Sequence, residues 1–252
     1  MSREKTKEEL ILHKERAIKH LDNYLEALIK SDVTALNGKA DKISYWLKDW
    51  TTFLDFEAKF SPASLRRYKR GEIIKVHLGF NVGSEEGGLH YAVVLDKNNS
   101  KKSPVVTVAP LTSVKQNTDV TNLRGGNVFL GNELFTNLNA KVSSMHRSLS
   151  TELQKMRDFL SDPNFQEEHE ETYAVMNQLN SLKEDVELLK KMQSEIRKMR
   201  IGSIALVNQI TTISKIRIYD PKTDHDILSG IKLSNEKLDL IDNEIKQNFT
   251  GL

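Results

Sequence analysis

Two hydrophobic periods alternate along this chain of 252 residues. Between residues 3 and 30 the apolar positions Leu10, Ile11, Ala17, Ile18, Leu21, Leu25 and Leu28 recur three and four residues apart, with Lys, Glu and Arg between them. That spacing predicts an amphipathic helix. Beyond the polar break at Ser31-Asp32, Val33, Leu36, Ile43, Trp46, Leu47, Trp50, Phe53, Leu54 and Phe56 predict a second helix, interrupted or weakened near Gly38. Together they predict an antiparallel helical hairpin over residues 1–62. Its two tryptophans are read as core packing between hairpin and barrel, because buried aromatics mostly serve packing; ligand binding is the other reading.

The period then shortens to two. Glu72–Leu78, Tyr91–Leu95 and Pro104–Ala109 are β-rich runs punctuated by glycine and polar clusters, and Leu123–Leu130 supplies a further candidate strand. Short strands spaced in this way are expected of a small barrel. Helical spacing returns from Leu138 to Arg200 through Val142, Met145, Leu149, Leu153, Met156 and Phe159, and later through Met176, Leu179, Leu182, Val186, Leu189, Met192 and Ile196. A turn at Ser161-Asp162-Pro163-Asn164 divides it into a coiled-coil-like hairpin. Strand character resumes at Ile201–Val207 and Lys215–Ile218, and Ser234-Asn235-Glu236 caps a last helix whose Leu238, Leu240, Ile241 and Ile245 would cover the barrel. The predicted class is α+β: one antiparallel β-barrel (63–137 and 200–252), interrupted by an inserted hairpin (138–199) and preceded by another.

Composition narrows the chemistry. No cysteine is present, so disulfides, thiol nucleophiles and thiolate metal sites are excluded. A formal charge of +2 is far from the balance of a dedicated nucleic-acid binder, and any affinity for a polyanion must come from local patches. One candidate patch is Leu65-Arg66-Arg67-Tyr68-Lys69-Arg70, which reads either as a footprint for phosphates or as a solvated connector. No apolar run has the length of a membrane span, and the charged N-terminus is unlike a signal peptide; a cytoplasmic protein with no membrane partner is expected. His146 and His169 lack partners at ligand spacing, and neither a His-Glu-x-x-His run nor a phosphate-binding glycine loop occurs.

The segment Val82-Gly83-Ser84-Glu85-Glu86-Gly87-Gly88 joins the first two strand runs and is predicted to be an exposed, mobile loop, since its glycines permit positive φ and its carboxylates cannot be buried unpaired. Here the sequence resembles the MazF/PemK family of toxin endoribonucleases. That family's strand opened by Arg-Gly-Asp/Glu is matched by Arg70-Gly71-Glu72, its Val-Gly-Ser-Glu-Gln-Gly-Gly by Val82 to Gly88 with Glu86 in place of Gln, and its valine-rich strand by Ala92-Val93-Val94-Leu95. Ser103-Pro104, Val108 to Ser113 and Leu206 to Ser214 resemble later blocks. The resemblance implies a small SH3-like barrel and cleavage of single-stranded RNA without metal or other cofactor, by attack of the 2′-hydroxyl on the adjacent phosphorus.

Such a reaction needs a base, a stabiliser of phosphoryl charge and an acid. By position Thr112 matches the family's hydroxyl residue, and His90-Tyr91 stands where Arg-Pro is usual. His90 is accordingly read as a general base or acid, though a neutral imidazole anchors phosphate less well than a guanidinium; a merely structural hydrogen bond is the other reading. Ser84, Glu85, Gln209 and Arg70 are the expected substrate-binding residues. His77 is a secondary candidate for proton transfer, and Thr211 stands where the family often has Arg. Implied partners are single-stranded RNA, a cognate antitoxin and a second copy in a homodimer. The alternative is a catalytically weakened barrel that binds RNA or protein. The helical pairs are expected to pack beside the barrel, limiting access to its groove or enlarging a dimer interface, or else to stand as solvated arms.

Overall fold

The computed structural model describes residues 4–161 and 169–250, so most of the expected Ser161–Asn164 turn lies outside the described residues. The chain falls into two units, Met1–Ala58 and Lys59–Leu252. The first consists of α1 (Lys7–Ile29) and α2 (Thr34–Glu57). Thr6 opens α1 with a reciprocal cap: its Oγ1 accepts from the Glu9 amide at 3.2 Å and its own amide donates to the Glu9 carboxylate at 2.8 Å. α2 runs unbroken through Gly38, contrary to the expected interruption. A mid-helix glycine costs only about 1 kcal/mol, which a long amphipathic helix absorbs. Within this unit Trp46 meets Phe53 with ring centroids 6.2 Å apart, and Trp50 is 46% exposed.

The second unit contains β1 (Ile73–His77), β2 (Leu89–Val94), β3 (Val105–Ser113), β4 (Asn127–Gly131), β5 (Ser203–Leu206), β6 (Thr211–Ser214) and β7 (Ile218–Asp220), with helices α3 (Glu133–Leu160), α4 (His169–Lys198) and α5 (Asn235–Ile245). All ladders are antiparallel. The order is β4-β5-β3-β2-β1-β7, with β6 on the other part of β3. β3 reaches four residues beyond the expected Ala109 because it serves three partners: β2 opposite Val108–Pro110, β6 opposite Val105–Val108 and β5 opposite Leu111–Ser113. The expected closed barrel is not formed. β6 and β7 are joined by a 3₁₀ turn, Lys215–Arg217, whose closing bond runs from the Ile218 amide to the Lys215 carbonyl. Where a continuous Lys215–Ile218 strand was expected, the turn spends its backbone bonds locally and no ladder joins β6 to β7.

Alternate residues of the same strands enter two different cores. Ile73, Val93, Ala109 and Leu111 lie in one, with Ala205 and Val207. Ile74, Val76, Ala92, Val94, Val106 and Val108 lie in the other, with Ile213, Ile218 and the fully buried Tyr68. A sheet covered on both faces needs near-continuous apolar strands, as in Ala92-Val93-Val94-Leu95. The first core includes Leu134 and Leu138 at the base of α3 and is flanked by Ile196 and Met199 at the end of α4. Farther out, α3 and α4 pack on each other through Leu149, Met156, Leu182 and Leu189. The Lys141 ammonium donates to the carbonyls of Asp226, Ile227 and Ser229 at 2.8–3.0 Å, using all three protons to hold the loop before α5. Ser234 caps α5 as expected, accepting from the Lys237 amide; Leu238 and Ile241 are buried, but Leu240, expected to cover the barrel, is 42% exposed.

The basic connector before β1 is solvated only in part. Arg66 is paired with Glu72 at 3.1 Å and with Asp224 at 3.0 Å. Tyr68 is fully buried and donates its hydroxyl to the Pro221 carbonyl at 2.7 Å. Arg70 donates to the Leu95 carbonyl and pairs with Asp242 of α5. Three of its side chains therefore fasten the strand to the end of the chain, leaving Arg67 and Lys69 exposed.

Candidate functional site

β1 ends at His77, whose Nδ1 accepts from the Gly79 amide at 3.1 Å. The chain then turns through the loop that leads into β2. The Leu78 amide donates to Gly88 and the Gly88 amide to Gly79, at 2.7 and 2.6 Å. A Cβ on Gly87 would stand 2.8 Å from the Gly79 carbonyl oxygen, so the close crossing requires glycine there. Residues 82–85 are exposed, as predicted, but the loop is tied from three directions. Asn81 Nδ2 donates to the Glu86 carbonyl at 2.6 Å. From the 3₁₀ turn after β5, Gln209 accepts from the Glu86 amide and donates to the Ser84 carbonyl, both at 2.9 Å. Gln209, expected to read a base, thus holds the loop with both ends of its amide. Glu85 likewise accepts weakly from the Val82 amide.

This clamping fixes Glu86, which the sequence reading had not singled out as a site residue. Its carboxylate lies 3.5 Å from His90 Nε2, and both side chains are about three-quarters buried, with 29% and 26% exposed. His90 sits on β2 opposite Val76, and its Nδ1 is 3.4 Å from the Leu111 carbonyl oxygen. Thr112 follows Leu111 immediately and is half-buried, opposite Ile204 of β5. Both ring nitrogens of His90 therefore face acceptors, at separations that permit tightening when a substrate arrives.

A cavity of about 380 Å³ lies beside this group, lined among others by Glu85, Glu86, Pro110, Gln209, Thr211 and Arg217. Arg217 comes from the 3₁₀ turn between β6 and β7 and donates Nε to the His77 carbonyl at 2.7 Å. Burial pushes its pKa down, yet a guanidinium starts so high that it stays charged. It is a cation at the point where Thr211 leaves one missing. Sequence reasoning passed over it because Lys215-Ile216-Arg217-Ile218 looks like an exposed strand edge. Its position depends on a contact with a residue 140 positions earlier, which no local signal announces.

The sequence-selected residues are only partly assembled. Ser84, Glu85, Gln209 and His90 meet around the loop, and Thr112 adjoins His90 through Leu111. Arg70 does not join them: its partner Leu95 lies beyond the far end of β2, roughly 17 Å from His90 at about 3.3 Å per strand residue. His77 serves the turn that follows it. Among the described residues no group of three or more His, Cys, Asp or Glu is placed to hold a metal ion.

Residues 69–170 match the family described as PemK-like, MazF-like toxin of type II toxin-antitoxin system. Over this segment the chain is similar to the PemK-like toxins. A comparison with curated proteins gave no match. The PemK-like segment includes Arg70, the Ser84–Glu86 loop, His90 and Thr112, and it continues through α3. Gln209 and Arg217 lie outside it. At the level of the family, PemK-like toxins belong to type II toxin-antitoxin systems and are typically RNA endonucleases. No helix among the described residues is long and apolar enough to cross a membrane.

Proposed function

We propose that this chain is an endoribonuclease toxin that cuts single-stranded RNA by intramolecular attack. The 2′-oxygen bonds to the adjacent phosphorus while the P–O5′ bond breaks. The 2′ proton goes to a base, the leaving 5′-oxygen takes a proton from an acid, and the products are a cyclic phosphate and a 5′-hydroxyl. The observation that carries this reading is the position of His90, held between the Glu86 carboxylate and the backbone beside Thr112 within the PemK-like segment. His90 transfers protons. Thr112 donates its hydroxyl to a non-bridging oxygen, and Arg217 stabilises the charge that builds on the phosphoryl group. In a type II system the cytoplasmic partner is an antitoxin, and the active form is a homodimer.

Purified protein incubated with long single-stranded RNAs and a chelator tests the proposal. Cleavage that leaves cyclic phosphate ends, abolished in His90→Ala and reduced at least 100-fold in Thr112→Ala, is the expected result, since a proton-transferring group contributes on the order of 10²–10⁴-fold and one donor to the developing charge about 10²–10³-fold. Folded wild-type protein that cuts none of them refutes it. The second reading, a binding module, is favoured by Thr211 lining the cavity where the resembling family often has Arg; it predicts RNA bound but left intact.

A further inference from the structure

The strands that carry His90 and Thr112 have a second cavity on their other side. It is a cleft of about 320 Å³, and it includes Lys75, Leu89, Thr112, Lys198 and Arg200 in its wall. Leu89 and His90 are successive residues of β2 and so project to opposite faces of the sheet. His90 meets Glu86 beside the 380 Å³ cavity, while Leu89, 44% exposed, lines this cleft. The ends of β2 and β3 are therefore a ridge with a cavity on each side, and the candidate reacting groups stand on the ridge.

The cleft is built by the end of α4 docking on the sheet. Its one carboxylate, Glu195, is consumed by the dock: it accepts from the Lys75 ammonium and from the Tyr91 hydroxyl. Among the lining residues this leaves two cations in excess, Lys198 at the last position of α4 and Arg200 just after it, both exposed. Basic residues at a helix C-terminus are expected from the macrodipole alone. What the macrodipole does not require is that they overhang a cleft sharing its wall with Thr112. An adjoining cleft of about 640 Å³ shares Lys75, Leu89, Glu195 and Lys198 with this one but adds Glu184, Asp185, Asp220 and Asp226 against Lys191, so the acidic excess there makes the Thr112 side, with Arg200, the more favourable place for a phosphate.

We infer that the end of α4 is part of the substrate site: the RNA strand crosses the β2–β3 ridge at His90 and Thr112, and the phosphate next along it is held by Lys198 and Arg200, with a base against Leu89. This rests on the endoribonuclease reading, and it gives the helical pair a role in binding RNA instead of covering the groove.

The test separates binding from cutting. A fluorescent single-stranded RNA of mixed sequence, 2′-O-methylated throughout so that it cannot be cut, is titrated by anisotropy at several salt concentrations. The proteins are full-length wild type, Lys198→Ala/Arg200→Ala, and the charge-conserving Lys198→Arg/Arg200→Lys. The alanine pair should weaken binding roughly tenfold and reduce the slope of log K against log salt by about 0.7 for each lost contact. On unmodified RNA its KM should rise with kcat retained, and the charge-conserving pair should restore binding. Equal affinity and equal slope in wild type and the alanine pair overturn the inference. Wild type that binds without cutting sinks the nuclease reading, while loss of that binding in the alanine pair still supports the strand path. Wild type that does not bind overturns both.

Discussion

Gln209 holds Glu86 by its backbone amide, across 123 residues of sequence, at 2.9 Å, and it is through this bond that the last third of the chain positions the carboxylate facing His90. Replacing Gln209 with Leu removes that bond and the one to Ser84. The cost in stability should be about 1–2 kcal/mol for two partly exposed hydrogen bonds, small enough to leave the fold intact. RNA cleavage should fall much further than stability does, and the Glu86 amide should lose protection from hydrogen exchange. Unchanged exchange at Glu86 would show that the clamp is not what holds the loop.

The contact of Glu195 with Lys75 and Tyr91 predicts a pH dependence with a definite sign. Burial raises the Glu195 pKa, but the hydrogen bonds from Lys75 and Tyr91 together outweigh it and hold the carboxyl below its ordinary 4.5. A depressed folded pKa means that the folded state binds fewer protons, so this stabilisation is complete above pH 4.5 and disappears as pH falls through the lower, folded value. Glu195→Gln should be less stable than wild type at neutral pH by on the order of 2 kcal/mol. The gap should close on acidification, as read by urea unfolding from pH 7 down to pH 3. A gap independent of pH would contradict the assignment.

Arg66 and Glu72 form an ion pair with only 12% and 8% of their side chains exposed. Removing the cation strands a buried carboxylate, so Arg66→Ala should cost about 3–5 kcal/mol, whereas replacing both partners with apolar residues of similar size should cost far less. Thermal melts of the single and double variants decide this. A mild single variant would indicate that Glu72 is supported by the Lys69 amide alone, which also donates to it at 2.9 Å.

Leu138 is fully buried in the sheet's first core, while the packing between α3 and α4 begins farther out. Leu138→Ala should therefore destabilise by about 2–5 kcal/mol. Replacing residues 146–188 with a Gly/Ser linker should leave the sheet folded, because it spares Leu134, Leu138, Lys141, Glu195 and Ile196. Far-UV and near-UV circular dichroism, with an unfolding curve for each protein, checks both outcomes. Loss of the sheet in the linker protein would show that the outer helices are required for folding.

The contrast between Leu138 and Arg217 shows what could be read from sequence. Strands β1 to β3 and all five helices were legible because hydrophobic period is a local property, and so was the cap at Ser234. The identity of the loop with three glycines and the placement of His90 and Thr112 came from the resemblance carried by Arg70 to Ser113. What stayed hidden depends on distant contacts. The 3₁₀ turn Lys215–Arg217 reads as a strand because its apolar residues alternate. Arg66 and Arg70 look like a solvated basic run until Glu72, Asp224 and Asp242 are placed beside them. Gly38 looked like a break because propensity is a weak prior against a long amphipathic stripe. Nothing near Gln209 in sequence reveals that the loop it serves was made more than a hundred residues earlier.

β3 takes β2 from before it in sequence but β5 and β6 from after α4, and this fixes when the sheet can be completed. Chains emerge from the ribosome N-terminal end first, at about 5–20 residues per second. When β1 to β4 and both long helices are out, β3 still lacks two of its three partners, and the loop beside His90 has neither Gln209 nor Arg217. A nascent or truncated chain that carries the whole PemK-like segment therefore lacks the β5 and β6 ladders of β3 and the two side chains that the end of the chain brings to the His90 loop. The surroundings of His90 are complete only after the final stretch has been synthesised and has added its strands to a sheet that was waiting for them.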